Sequence, residues 1–362
     1  MTHQALPGWA HAPAATCATG GEHALIRWIA SITGTPSTPA DVLLGIGDDA
    51  AVVRPRRNHV DVLTTDVQVE GVHFTRETSR AADVGHRALH VNLSDIAAMG
   101  AEPRVALLSL GLPATLEAAW VAECVYAMVD AARAARVHLV GGNISRSPTL
   151  FIDVTVSGTA KPRHLLRRSG ARAGDELYVS GNVGAAAAGL AWLGHAGHDA
   201  DATSPSPALA DALARYRRPE ARLGLGLQVG RNKAASACMD TSDGLADALR
   251  QLASASGVGV RVERTRVPVA PAVVEIAATT GADAEALVWS GGEDYELLFA
   301  VPRRLRRRFL HATGRKGMPP VTLIGVCTKE ADLVIVDDET RESPLPGGFV
   351  HFAGEEGREP CS

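Results

Sequence analysis

Val91-Asn92-Leu93-Ser94-Asp95-Ile96-Ala97-Ala98-Met99-Gly100-Ala101-Glu102-Pro103 decides how this chain is read. Upstream, Val84, Ala88, Val91 and Ala98 fall near one stripe at helical spacing and Gly100 offers a stop, so the pattern predicts a helix over Asp83–Met99. Downstream, Val105–Leu112 is an apolar run of strand length, Leu116–Ala135 returns to helical spacing and Val137–Val140 reads as a strand. Phe151–Ser157 alternates, with Ile152, Val154 and Val156 on one face and Asp153, Thr155 and Ser157 on the other. Toward the N-terminus, Glu22–Ile32 predicts a short amphipathic helix with Leu25, Ile26, Trp28 and Ile29 on one side. Val60–Leu63 predicts a strand that runs straight into Thr64-Thr65-Asp66. Helices and strands interleaved in this way point to an α/β chain.

Composition shifts at Lys161–Gly174, a basic, glycine-containing stretch that suggests a domain boundary. Beyond it, Glu176–Ser180 reads as a strand that feeds Gly181-Asn182-Val183-Gly184 and an alanine-rich helix. The expected division is a tail over 1–20, a domain over 21–160, a second over 161–352 and a tail over 353–362. Gly194–Pro207 reads as an exposed loop, whose His195, His198, Asp199 and Asp201 are better explained by solvation than by metal. Arg303–Arg308 likewise reads as a solvated helix face.

The bulk properties exclude several classes. With 362 residues, 46% hydrophobic, the chain can bury two cores, and its net charge of −4 argues against nucleic acid or an anionic membrane as main partner. No apolar run approaches the ~20 residues a transmembrane helix needs, and a secretory signal pattern is not expected. Five scattered cysteines, with neither a CxxC pair nor a disulfide framework, suit a reducing, cytoplasmic setting.

Acidic residues in glycine-flanked turns carry the chemistry. Gly45-Ile46-Gly47-Asp48-Asp49-Ala50-Ala51 is echoed by Asp240-Thr241-Ser242-Asp243-Gly244 and by Gly291-Gly292-Glu293-Asp294. So many carboxylates at the ends of apolar segments would repel one another without a cation, and a hard divalent ion with a nucleotide is the usual answer. Asp95 falls in the last two turns of its predicted helix, where the dipole disfavours a negative charge by ~0.3–1 kcal/mol. Asn92 lies one turn earlier and is expected to share its face. Asp66 is expected at a strand end, beside the oxygens of Thr64 and Thr65; a turn-forming aspartate is the plainer alternative. Of Asp48 and Asp49, one can face a metal while the other braces the turn. Ser242 or Asp243 could instead cap the helix expected near Leu245, an excuse that Asp240 lacks. Gly181–Gly184 could present backbone N–H groups to a phosphate or be an ordinary turn, and Arg168 could offset phosphate charge or be a surface arginine.

Taken together, these motifs resemble the thiamine-monophosphate kinase family, within the superfamily of aminoimidazole-ribonucleotide synthetase. The matching segments are Gly21-Glu22, GIGDDAA (45–51), TTDVQVEGVHF (64–74), VNLSDIAAMGAEP (91–103), RRSGARAGD (167–175), RRPEARLGLG (217–226), MDTSDGLADAL (239–249), SGGEDYELLF (290–299) and GGFVHF (347–352). The resemblance implies a two-domain α/β (α+β) fold whose N-terminal sheet is completed by homodimerisation. It implies ATP-dependent phosphorylation of thiamine monophosphate to thiamine diphosphate, with the substrate phosphate attacking directly and no protein base. It further implies Mg²⁺ ions held by Asp49, Thr64, Thr65, Asp66, Asp95, Asp240 and Asp243, ATP contacts from Gly142, Arg168 and Ser242, and a thiamine site at His73, Glu293 and Phe349. The family's Gly-Gly-Asp reads Gly141-Gly142-Asn143 here, so Asn143 would bring a carbonyl oxygen without charge to the metal and nucleotide. Rivals within the superfamily are a selenophosphate synthetase, suggested by Cys17, and a hydrogenase-maturation carbamoyl dehydratase, suggested by Cys361. A rival of another class is a non-catalytic nucleotide-binding protein, suggested by Asn143.

Overall fold

The structure is a computed structural model that describes Thr16 and residues 22–33, 40–197 and 205–347. Helix α1 (Glu22–Thr33) buries Leu25, Trp28, Ile29 and Ile32, the stripe its spacing predicts apart from the half-buried Ile26. Two short strands, β1 (Val42–Leu44) and β2 (Val52–Val53), then pair across the acidic turn.

The first large unit is built from β3 (Val60–Val69), α2 (Ala81–Ala98), β4 (Glu102–Leu112), α3 (Ala118–Ala134), β5 (His138–Arg146) and β6 (Phe151–Ala160). Its four strands lie in the order β3-β6-β4-β5, parallel only between β4 and β5. Ile152, Val154 and Val156 face the helices and are fully buried, as the alternation of β6 requires. The opposite face carries Leu63, Thr65 and Val67 of β3 and Leu107 of β4, and Leu63 remains 71% exposed.

Two strands run further than their apolar cores suggested. The ladder between β3 and β6 continues from Val60↔Ala160 to Val69↔Phe151, so Asp66 sits inside a strand and not at its end. Pairing with β4 likewise carries β5 past Val140 to Arg146, which puts Gly142 and Asn143 within a strand. In both cases inter-strand hydrogen bonds extend a segment whose own side chains are polar.

The second unit contains strands β7 (Glu176–Ser180), β8 (Ala237–Asp240), β9 (Gly259–Glu263), β10 (Leu297–Val301), β11 (Val321–Thr328), β12 (Leu333–Val336) and β13 (Glu342–Pro344). They form a seven-stranded sheet in the order β13-β12-β9-β11-β7-β10-β8, antiparallel except where β9 meets β12. Around it lie α4 (Ala185–Ala196), α5 (Pro207–Arg217), α6 (Leu223–Arg231), α7 (Leu245–Ser256), α8 (Ala272–Thr280), α9 (Ala284–Trp289) and α10 (Arg306–Thr313). The alanine-rich helix therefore includes His195, while His198, Asp199 and Asp201 lie outside the described residues. On α10 the basic run is largely exposed, and Arg306 pairs with the buried Glu176.

Helix α2 joins the two units. Gly226 of α6 comes so close to it that an added Cβ would stand 1.9 Å from the carbonyl oxygen of Ala97. Nearby, the fully buried Glu296 accepts hydrogen bonds from Arg215 at 2.8 Å, from Arg222 Nε at 2.9 Å and from Ser180. Burial opposes its charge, but Arg222, Ser180 and Arg215 together hold its carboxyl below the usual range. The α5–α6 connection is thus fastened to β7 and β10.

Candidate active site

A cavity of about 710 Å³ opens between the two sheets, beside α2. Asp66 reaches it from β3, His73 and Phe74 from the turn after β3, and Asp95 from α2. Asp240 enters at the end of β8, followed by Ser242 and Asp243, and Glu293 and Tyr295 come from the turn before β10. Seven of the expected site residues therefore meet: His73, Asp66, Asp95, Asp240, Ser242, Asp243 and Glu293. Among the described residues, no lysine or arginine lines this cavity.

Uncompensated negative charge shapes the site. Burial first, then the neighbouring Asp95, pushes the Asp240 carboxyl up to about 7, although Ser94 Oγ donates to its Oδ2 at 2.6 Å and works the other way. Burial, followed by Asp95, Asp153 and Asp243, pushes Asp66 up to about 6. The hydroxyl of Thr64 donates to the carboxylate of Asp95. An all-oxygen donor set that suffers from its own repulsion is chemically suited to a hard divalent cation. Among the described residues, however, no three carboxylate, imidazole or thiol groups stand close enough to hold an ion as they are. The donors fit Mg²⁺ in kind, with further oxygens needed from a bound phosphate.

The cavity is also lined by the apolar and aromatic side chains of Val72, Phe74, Leu190, Tyr216, Leu287 and Tyr295. His73 is anchored there, its Nδ1 accepting from the backbone N–H of Val69 at 3.2 Å. Glu293 and Tyr295 adopt left-handed backbone angles, φ 75° and 50°. Such strain costs about 1–3 kcal/mol per residue and is held only where surroundings fix it. Here the Glu293 N–H donates to Ser242 O at 2.7 Å. The Glu293 carboxylate pairs with Arg87, which burial raises as a demand: the carboxyl is pushed up by desolvation, and Arg87 opposes that push.

Other expected residues lie elsewhere. Asp49 sits in an exposed turn where its N–H donates to Asp48 Oδ1 at 2.8 Å, so Asp48 is the bracing member of the pair. Thr65 faces away from Asp66, donating to Asp153 Oδ1 at 2.9 Å. Gly142 stands in one row with Asp66, through Val154 and Leu108, but at the far edge of the sheet. Three strand spacings separate the two, roughly 14 Å. Packing leaves no room for a side chain there, since a Cβ at Gly142 would meet Leu108 O at 1.8 Å. Asn143 points to the exposed face and donates to Ser145 Oγ at 3.1 Å. Arg168 is exposed and donates to Gln251. Phe349 lies outside the described residues.

Three local readings change. Asn92 does not share the cavity with Asp95; it is fully buried and donates to Ala88 O at 3.0 Å. Gly181–Gly184 is not an open phosphate cradle, because Asp294 Oδ2 takes the Gly184 N–H at 2.6 Å and Oδ1 the Ala186 N–H at 3.0 Å. Burial nonetheless pushes the Asp294 carboxyl up to about 7. Helix α7 begins at Leu245 with Gly244 at the N-cap and no side-chain cap, which removes the capping explanation for Ser242 and Asp243. Arg87 was the residue that motif reading missed. Its signal was present: Arg87, Val91 and Asp95 recur every fourth position, on one helix face.

Fold and site together define a member of the aminoimidazole-ribonucleotide synthase-related class. The family models for the AIR synthase related protein match its N-terminal domain at residues 47–160 and its C-terminal domain at 172–338. A thiamine-monophosphate kinase of Escherichia coli (strain K12) is 37% identical, the alignment covering 88% of this chain and 94% of that protein. A crystal structure of thiamine-monophosphate kinase from Stenotrophomonas maltophilia K279a superposes with a TM-score of 0.75 at 35% identity, covering 87% of this chain and 95% of that one. AaThiL complexed with AMPPCP and TMP superposes with a TM-score of 0.68 at 32% identity, over 87% of this chain and 93% of that one. The chain belongs to the thiamine-monophosphate kinase family. HypE of E. coli, a hydrogenase maturation protein, shares the fold alone, with a TM-score of 0.70 at 21% identity.

Proposed function

We propose that this protein transfers the γ-phosphoryl group of ATP to the phosphate of thiamine monophosphate, giving thiamine diphosphate and ADP. The observation that carries the reading is the convergence of Asp66, Asp95, Asp240 and Asp243 on one cavity that, among the described residues, has no lining lysine or arginine. The cavity also has the size of a small-molecule site. The structure of the related AaThiL with AMPPCP and TMP supports the choice of substrates.

Mg²⁺, when bound, supplies the positive charge that two approaching phosphate chains need. Asp66, Asp95, Asp240 and Asp243 would hold it with Thr64, and the phosphates would complete its coordination. An acceptor phosphate oxygen attacks Pγ while the bond from Pγ to the β-phosphate oxygen breaks. That acceptor oxygen is already ionised, so no side chain has to remove a proton. The chain's contribution is to align donor and acceptor and to exclude water. Phe74, Tyr216 and Tyr295 offer ring faces and edges to a cationic heterocycle, while Glu293 and His73 supply polar contacts to the same acceptor. Ser242 is suited to the nucleotide side. Asp49, Thr65, Gly142, Asn143, Arg168 and Phe349 belong to the same proposal as residues that join the site once nucleotide, metal or a second subunit is present.

A homodimer is part of the reading. The exposed sheet face carries Leu63, Val67 and Leu107, apolar side chains on a surface that helices do not cover. A second copy packed there would bury them. The boundary between domains would lie in Lys161–Gly174, within the connector between β6 and β7. A cytoplasmic setting is consistent with the described helices, none of which is long and apolar enough to cross a membrane.

Incubation with thiamine monophosphate, ATP and Mg²⁺, followed by chromatography, tests the reaction. Thiamine diphosphate and ADP should appear one for one. Bound ATP with no product would favour the non-catalytic alternative raised by Asn143.

A further inference from the structure

Arg87 has a commitment that the cavity residues do not explain by themselves. Its side chain is 1% exposed and lies just behind the cavity wall. Nε donates to Gln68 Oε1 at 3.1 Å, Nη1 donates to Tyr216 O at 3.0 Å and Nη2 donates to the Glu293 carboxylate. The guanidinium carbon also stands 4.8 Å from the centre of the Tyr216 ring. One side chain of α2 thus ties β3, the end of α5 and the turn before β10 together.

Glu293 is the partner that needs this. It is an acid beside four others, on a left-handed backbone, and its carboxylate would otherwise be driven from the cavity by Asp243 and its neighbours. Arg87 does not itself line the cavity; it acts through the lining residues that it holds, Gln68, Tyr216 and Glu293. Tyr216 and Glu293 are the residues proposed for the acceptor, whereas Asp66, Asp95, Asp240 and Asp243 are the acids proposed for metal.

We propose that Arg87 is a positioning residue that orients Glu293 and the Tyr216 ring toward the acceptor and so governs acceptor recognition separately from nucleotide binding. This rests on the reaction proposed above. A planar guanidinium is required because three acceptors in different directions must be met at once; lysine meets fewer of them.

Steady-state kinetics of Arg87→Met, Arg87→Lys, Glu293→Gln and the Arg87→Met/Glu293→Gln double variant test it. Losing a hydrogen bond to a charged group should raise KM for thiamine monophosphate about tenfold or more in Arg87→Met, with KM for ATP within about twofold of wild type. Arg87→Lys should recover part of the loss. The double variant, which leaves no unpaired buried charge, should fold and be no worse toward the acceptor than Glu293→Gln alone. Equal increases in both KM values, or additive losses in the double variant, would overturn the role of Arg87 while leaving the reaction intact. A wild-type protein that forms no thiamine diphosphate would overturn both.

Discussion

Two groups of expected metal-site positions behave differently in this molecule. Asp66, Asp95, Asp240 and Asp243 converge, each on an element locked against α2 or against the second sheet. Asp49 and Asn143 do not: one stands in an exposed turn, the other on an uncovered sheet face. The first group is assembled by packing alone. The second is not assembled by packing within one chain. The fold thus separates the motif positions that line the cavity from those that do not.

The comparison can be broken most sharply at Asp95. Asp95→Asn keeps the shape and removes the charge at the centre of the packed group. Turnover should fall by about 100- to 1,000-fold, as for loss of one transition-state electrostatic contact. The circular-dichroism spectrum should match wild type; an unfolded spectrum would mean that Asp95 serves the core.

Packing around α2 comes next. Gly226→Ala would force a Cβ against Ala97 O and should cost about 1–3 kcal/mol in urea unfolding. Gly224→Ala, on the same helix with only Met318 at 4.0 Å, is the control and should be neutral or slightly stabilising. Equal effects would contradict the close approach of α2 and α6.

Electrostatics give a pH signature. Asp66 and Asp240 have folded-state values raised to about 6 and about 7 from an unfolded 3.8, so the folded protein binds protons more readily than the unfolded chain. Their contribution is fully present below the unfolded value and is lost as pH rises through 6 and 7. Metal-free protein should consequently unfold at a lower temperature at pH 8 than at pH 5. Mg²⁺ with a non-hydrolysable ATP analogue should restore about 2–3 kcal/mol at a hundredfold excess over Kd, more at pH 8 than at pH 5. A stability that ignores both pH and Mg²⁺ would remove the cation argument.

The smallest effect is expected from the second group. Asn143→Asp adds a charge on the exposed sheet face and should lower the Mg²⁺ concentration for half-maximal rate by about threefold or less. A shift beyond tenfold would show that β5 reaches the reacting phosphates.

Much of this was legible in the sequence where local physics decides. The α2 stripe and the alternation of β6 followed from side-chain periodicity, which a buried face enforces, and Glu176–Ser180 is a strand as expected. The four converging carboxylates were legible as residue types in turns and near helix ends. What periodicity missed depends on contacts between distant segments. Hydrogen bonding to β6 and β4 lengthened β3 and β5 through polar residues, moving Asp66 off a strand end and Asn143 into a ladder. Asn92 is fully buried and bonded to Ala88 O of its own helix, a burial that depends on how α2 packs and not on its spacing from Asp95. Asp294 closed the Gly181–Gly184 turn from more than a hundred residues away, as no local pattern could reveal. Arg87 shares a helix face with Val91 and Asp95 in the sequence, but its partners Gln68, Tyr216 and Glu293 come from distant segments.

The central claim is that the packed carboxylates, and not the exposed ones, form the metal-bearing floor of the reaction site. Its most direct test is an anomalous difference map from crystals grown with Mn²⁺, a non-hydrolysable ATP analogue and thiamine monophosphate. The account predicts metal peaks bonded to oxygens of Asp66, Asp95, Asp240 or Asp243, with the nucleotide phosphates beside them. Metal and phosphates found away from all four carboxylates would contradict it.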